Sequence, residues 1–288
     1  MAQVLTTNQS QYIFDANNQA LTLKHSGKFS CVYIGMDVES KQQVVVKMLT
    51  PEYVSHTQSL QVHLKEASYA LLHPRLQKTI DYFVDDDTHY LIKEYIPGQT
   101  LRQSMAQKQQ PAYYYKIIVD VLEVLNSLHR HQIFHCDIKP ENILMGNQVY
   151  VLDLGLAFNR DVDTHCQSNF ALGYAAPELM LQQPSFINAG TDVFALAMCL
   201  YHCLTGSNPF FHQHPVYAMQ LQLNLPLPPH KKINKNLLAV LHKATYRQSF
   251  GRPPHQLTAA AINEVLQINN QKRYQSVEEF TAALLPCF

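Results

Sequence analysis

An aspartate, a lysine and an asparagine lie close together in His135-Cys136-Asp137-Ile138-Lys139-Pro140-Glu141-Asn142. An ionised carboxylate can orient a hydroxyl and accept its proton. A lysine can neutralise a phosphoryl group in transfer, and an asparagine offers a neutral oxygen that suits a hard cation such as Mg²⁺. A short distance on, Asp153-Leu154-Gly155 follows the strand-like Val149-Tyr150-Val151-Leu152. An aspartate at a strand end, followed by glycine, is a second candidate oxygen ligand. One base-like carboxylate, one cation and two oxygen ligands are the set that phosphoryl transfer uses.

These groups need rigid elements on either side, because loops held by a scaffold are where reactive side chains collect. Before the loop, residues 113–131 carry Ile117, Val121, Val124, Leu125 and Leu128 at helical spacing. After it, 143–145 and 149–152 read as short strands. Earlier in the chain, residues 20–24, 31–36, 44–49, 80–84 and 90–96 are β-branched and aromatic runs bounded by turn residues, and all read as strands. A helical pattern over 59–72 interrupts them and ends at His73-Pro74. The character changes at Pro97-Gly98, beyond which the pattern is mostly helical. The expected organisation is an extension over 1–19, a small β-rich unit over 20–96 and a larger α-rich unit over 97–288. Ligands often bind between such units. Gly251, Pro253 and Pro254 mark a surface insertion at about 245–265.

The 288 residues are 47% hydrophobic, enough for a substantial core. Lys plus Arg and Asp plus Glu number 22 each, and a formal charge of zero argues against a general nucleic-acid or anionic-membrane binder. No apolar run reaches the roughly 18 residues of a spanning helix. The N-terminal stretch lacks a basic start followed by an apolar core, so no signal peptide is expected. Six cysteines with no C-x-x-C pair read as reduced thiols of a cytoplasmic protein. Among the 15 histidines none completes a familiar metal-ligand spacing.

Taken in order, the motifs resemble the protein kinase family, in particular the eukaryotic-like Ser/Thr kinases of bacteria. HCDIKPEN is similar to the family's catalytic loop and DLG to its metal-binding triplet, with Leu154 in place of Phe. Ala176-Pro177-Glu178 supplies A-P-E, and Val44-Val45-Val46-Lys47 is similar to the V-A-I-K strand. Asp192-Val193-Phe194-Ala195-Leu196 looks like the start of the buried central helix. Lys272-Arg273-Tyr274-Gln275-Ser276 resembles the segment whose arginine pairs with the A-P-E glutamate, with Arg252 as the rival. The resemblance implies an α+β, bilobal fold and ATP-dependent phosphorylation of Ser/Thr hydroxyls on protein substrates, autophosphorylation included. It assigns Asp137 to the substrate hydroxyl, Lys139 to the γ-phosphoryl group, and Asn142 and Asp153 to Mg²⁺, with Mn²⁺ as an alternative. Lys47 would contact the α- and β-phosphates and Glu66 would pair with it. The nucleotide would meet Gly27, Val32 and Val45 on one side, Leu144 on the other, and the backbone of Glu94 and Ile96 at its edge.

Several positions depart from the family pattern. Of the glycine-rich loop, aligned on His25, Gly27, Ser30 and Val32, only Gly27 remains. Lys93 stands at the gatekeeper position, which is more often apolar. Ala171 replaces a threonine whose hydroxyl supports the peptide platform. Cys136 replaces an arginine that binds an activation-segment phosphate, so basal activity is expected to be largely independent of phosphorylation at Thr164 or Ser168. A pseudokinase scaffold is the alternative reading, and a small-molecule phosphotransferase a more distant one.

Overall fold

The computed structural model describes residues 3–7, 10–14, 31–49, 57–68, 73–107, 109–166 and 169–288. The expected strand at 20–24, together with His25, Gly27, Ser30 and Ser168, lies outside the described residues. The chain divides after Pro97: Met1–Pro97 with Asp153–Gly155 form one unit, and Gly98–Leu152 with Leu156–Phe288 form the other.

The first unit is built on β1 (Gln3–Thr6), β2 (Gln11–Phe14), β3 (Cys31–Asp37), β4 (Gln43–Leu49), β5 (Thr79–Asp85) and β6 (Thr88–Glu94). All neighbours pair antiparallel, in the order β1-β2-β3-β4-β6-β5. The central β4 carries three successive β-branched residues, Val44, Val45 and Val46, all buried. β5 and β6 are closed by Asp86-Asp87, both at positive φ (45° and 57°), the geometry of a two-residue hairpin turn whose twist matches the strands it joins. One helix, α1 (Thr57–Ser68), is described in this unit.

Residues 1–19, expected as an extension, instead supply two strands of this sheet. Leu5, Tyr12 and Phe14 are 3%, 1% and 2% exposed and join Tyr33, Val44, Val46, Tyr90 and Ile92 in one apolar cluster. Gln11-Tyr12-Ile13-Phe14 alternates exposed and buried residues, as a half-buried strand requires. The strands are only four residues long and flanked by polar residues, which hid them in the sequence.

The second unit opens with β7 (Gln99–Thr100) and α2 (Leu101–Met105), then α3 (Pro111–Arg130), β8 (Ile133–Phe134), β9 (Ile143–Met145), β10 (Val149–Val151) and β11 (Phe158–Asn159). β10, β9 and β7 form one small sheet and β11 with β8 another. α4 (Pro177–Met180), α5 (Ala189–Thr205), α6 (Pro215–Asn224), α7 (Lys235–Ala244), α8 (Ala259–Lys272) and α9 (Val277–Leu284) follow. α3 starts with Pro111 at its first turn, where the missing N–H costs nothing, and buries Ile117, Val121, Leu125 and Leu128 on one stripe. α5 is apolar all round, as a helix at the centre of a core must be. A capping box between Asn188 and Thr191 starts it.

The stretch expected as a surface insertion is anchored rather than loose. Gly251, Arg252, His255 and Gln256 are exposed, but Arg247 is buried and Phe250 joins a core cluster with Phe134, Cys136, Leu179 and Leu266. The glycine and proline signal marks only the part of the segment that turns.

Candidate active site

In the first unit the strand register decides which charges meet. Val45 pairs with Lys93 and Lys47 with Leu91, so Lys47 and Lys93 are diagonal neighbours on one face of the sheet. Glu66 reaches that face from α1. Its Oε2 lies 2.5 Å from Lys47 Nζ, and its Oε1 accepts from Lys93. Glu66 is 3% exposed and Lys93 4%. Asp153 Oδ1 stands 3.5 Å from Lys47 Nζ. Burial alone would lower the Lys47 pKa; the charges of Asp153 and Glu66 outweigh it and hold the ammonium above the ordinary lysine range. His63, one turn before Glu66, is buried beside them, and its pKa falls to about 4 through burial first and the Lys47 charge second.

The glycine of DLG has a steric role. A Cβ on Gly155 would lie 2.7 Å from the Val62 side chain, closer than atoms approach, so α1 packs against the backbone there. Asp153 has φ 62°, and its Oδ1 accepts from the Gly155 amide at 3.1 Å.

In the second unit Asp137 is 4% exposed, and its Oδ2 accepts from Lys139 Nζ at 2.6 Å and from Asn142 Nδ2 at 2.8 Å. Asn142 Nδ2 also donates to the Asp137 carbonyl at 2.9 Å, which turns its side-chain oxygen away from the carboxylate. His135 Nε2 donates to the Leu152 carbonyl at 3.0 Å, so Nδ1 is the acceptor for the Asp137 amide at 3.3 Å.

The sequence set Asp192 at the head of the central helix but gave it no part in the loop, which it anchors. Asp192, fully buried at the start of α5, accepts from the amides of His135 (2.8 Å) and Cys136 (2.9 Å) and from His129 Nε2 (2.8 Å). Burial works to raise its pKa, but the His129 hydrogen bond and charge and the Cys136 amide bring it below the usual carboxylate value. Cys136 itself sits at φ 61°, a conformation that costs a non-glycine residue about 1–3 kcal/mol and persists only where the surroundings impose it. Asp192 imposes it. The sequence signal was a lone carboxylate at the head of an otherwise apolar helix.

Asn142 in the second unit carries an amide oxygen and Asp153 in the first a carboxylate, each by itself a hard donor of the kind that suits Mg²⁺ or Mn²⁺. Among the described residues no cluster of three His, Cys, Asp or Glu side chains forms a metal site of another kind. Of the residues expected around a nucleotide, Val32 lies on β3 and Val45 on β4 of the first unit, and Leu144 on β9 of the second. The Glu94 amide donates to the Lys78 carbonyl at 3.0 Å, and the Glu94 carbonyl accepts from Gln77 Nε2 at 3.0 Å, which leaves that carbonyl one lone pair for a further donor. Ile96 is half-buried beyond the end of β6.

Away from these groups, Glu178 of α4 receives Arg273 Nη1 on both oxygens at 2.9 Å, and Thr191 donates to its Oε1 at 2.8 Å. Arg252, the rival, is exposed. Thr164 is also exposed, its hydroxyl 2.7 Å from His165 Nδ1.

Residues 25–280 match the family described as the protein kinase domain. The chain is similar to the serine/threonine-protein kinase PrkC of Bacillus subtilis, at 28% identity over 92% of this chain and 44% of that protein. It is similar to a probable serine/threonine-protein kinase of Clostridium perfringens, at 30% identity over 73% of this chain and 32% of that one. PknB of Mycobacterium leprae, also a serine/threonine-protein kinase, matches at 28% identity over 91% of this chain and 44% of its own length. The chain thus spans less than half the length of these curated relatives. A family match over nearly the whole chain, joined to a β-rich unit bearing Lys47 and Glu66 and a helical unit bearing Asp137, means that the chain belongs to the protein kinase family.

Proposed function

We propose that this chain transfers the γ-phosphate of ATP to Ser or Thr hydroxyls of protein substrates. The observation that carries the reading is the buried Asp137 carboxylate, held through one oxygen by Lys139 and Asn142. A carboxylate fixed in this way keeps one orientation, which suits a group that must align a hydroxyl and accept its proton. Lys139 would steady the γ-phosphoryl group, and Lys47, oriented by Glu66, the α- and β-phosphates. Asn142 and Asp153 would hold Mg²⁺ or Mn²⁺, which when bound neutralises phosphate charge. Val32, Val45, Leu144 and the backbone of Glu94 and Ile96 would receive the nucleotide, with Gly27 over its phosphates. Six cysteines without a disulfide and the requirement for ATP support action in the cytoplasm. No helix among the described residues is long and apolar enough to cross a membrane.

The experiment compares wild type with Asp137→Asn for phosphate transfer from Mg·ATP to casein, alongside thermal shift by Mg·ATP. The expected result is a loss of at least about 10³-fold in kcat with the nucleotide shift retained, since the change touches the chemical step. Wild-type turnover in the variant rejects the assignment. A nucleotide shift without turnover in the wild type would identify a binding module instead.

A further inference from the structure

Glu66 is held from three neighbouring strands of the first unit. Lys47 of β4 has its Nζ 2.5 Å from Oε2, and Lys93 of β6 donates to Oε1. Thr79 of β5 donates from Oγ1 to the Glu66 carbonyl at 3.4 Å. Thr79 and Lys93 are paired across β5 and β6, so two facing positions take hold of the main chain and the side chain of one residue. That residue lies in the last turn of α1.

Lys93 is buried, and Glu66 is the one hydrogen-bond partner of its ammonium among the described residues. Burying an ammonium is costly even when a carboxylate meets it, and an apolar side chain would fill the same space at lower cost. What the ammonium adds is a charge on Glu66. Lys47 Nζ stands near two carboxylates, Glu66 and, at 3.5 Å, Asp153. Were position 93 apolar, those two carboxylates would share one ammonium. The lysine sets two cations, Lys47 and Lys93, against two carboxylates, Glu66 and Asp153. It also gives Glu66 Oε1 a donor of its own, so the carboxylate keeps its place on the sheet when Lys47 turns to a further anion.

We propose that Lys93 is a positioning residue that fixes Glu66 on the sheet and, through Glu66, keeps Lys47 set for the nucleotide phosphates. The proposal rests on the kinase reading above. The constraint is made inside the first unit and needs no phosphate on the chain. Methionine at this position packs but gives Glu66 no donor, and glutamine keeps a neutral N–H donor without the charge. The rival role for position 93 is bulk beside the nucleotide. The two roles separate in a double-mutant cycle, because a residue that acts through Glu66 loses its effect once that carboxylate is gone.

The test uses the whole chain with Mg·ATP and casein, and measures Kd for Mg·ATP by calorimetry together with kcat and KM for casein. Lys93→Met is expected to weaken Mg·ATP binding at least about fivefold and to lower kcat, while KM for casein stays within about twofold. In a Glu66→Gln background, Lys93→Met should change Kd by less than about twofold. An unchanged Kd in Lys93→Met overturns the proposal. So does the same fold-change in both backgrounds, which would mean that position 93 acts on the nucleotide without Glu66. Should Lys93→Met fail to fold, as judged by its melting transition, Lys93→Gln replaces it in both backgrounds with the same expectations. If the wild type neither binds Mg·ATP nor transfers phosphate, the kinase reading falls and the proposal with it; if the wild type is active and Lys93→Met matches it, only the proposal falls.

Discussion

At the scale of single residues, Glu66 is a carboxylate with two cations on it. Lys47 holds one oxygen and Lys93 the other. Removing the carboxylate strands the buried Lys93 ammonium and leaves Lys47 to Asp153 alone, whereas removing Lys93 leaves Glu66 still paired with Lys47. Breaking a buried pair by deleting one partner costs about 3–5 kcal/mol because the remaining charge is uncompensated. Glu66→Ala is therefore expected to lose stability on that scale and Lys93→Met clearly less, read by urea unfolding of the two variants against wild type. Equal losses would mean that Lys93, not Lys47, is the partner that matters for folding. This arrangement also marks a limit of the sequence. Lys47, Asp137, Lys139, Asn142 and Asp153 stood out as candidates because few side-chain types suit phosphoryl transfer and four of them lie within 17 positions. The contact of Lys93 with Glu66 was not, because it follows from the register of β4 on β6 and from the depth at which α1 sits, and neither is written in any local pattern.

At the scale of elements, the pairing of α4 with the end of α8 is the clearest long-range tie in the second unit. Glu178 is 0% exposed and Arg273 2%, and their bond joins segments 95 positions apart. Arg273 Nε also donates to the Tyr246 carbonyl at 2.9 Å, so the same side chain ties down the start of the segment that leads to α8. Arg273→Ala should lower stability by about 3–5 kcal/mol, measured as a fall in the urea midpoint. An unchanged midpoint would show that Glu178 finds another partner. α3, with its strong apolar stripe, was readable to within two residues, at 113–131 against Pro111–Arg130. β1 and β2 were not, since four-residue strands between polar stretches carry too little alternation to stand out, and their identity is set by pairing with β3. The segment 245–265 misled for a related reason: glycine and proline report a turn but say nothing of Arg247 and Phe250 beside it.

At the scale of the whole molecule, two buried histidines make stability depend on pH. His63 in the first unit and His202 in the second have pKa values lowered to about 4, in each case by burial first, with the Lys47 charge next for His63 and the Arg102 charge for His202. Their unfolded values lie near 6.5. Between about pH 4 and 6.5 the unfolded chain therefore binds more protons than the folded one, and stability rises with pH across that window. Falling pH should remove on the order of 3 kcal/mol per histidine once the lower value is reached. His202→Gln, which keeps an acceptor for the Tyr174 hydroxyl, should flatten part of this slope in unfolding curves taken from pH 6.5 to 4. A slope identical to wild type would exclude His202 as a contributor.

The division of the chain has a consequence for the order in which it is made. The first unit takes its last three residues, Asp153–Gly155, from a point well beyond Pro97. Domains fold as the chain leaves the ribosome, beginning at the N-terminal side. Among the described residues, Lys47 and Lys93 meet the carboxylate of Glu66, and Lys47 also meets Asp153. Asp153 is made about a hundred residues after Lys47. The set of charges around Lys47 is thus complete only after residues 98–152, Asp137 among them, have already been synthesised.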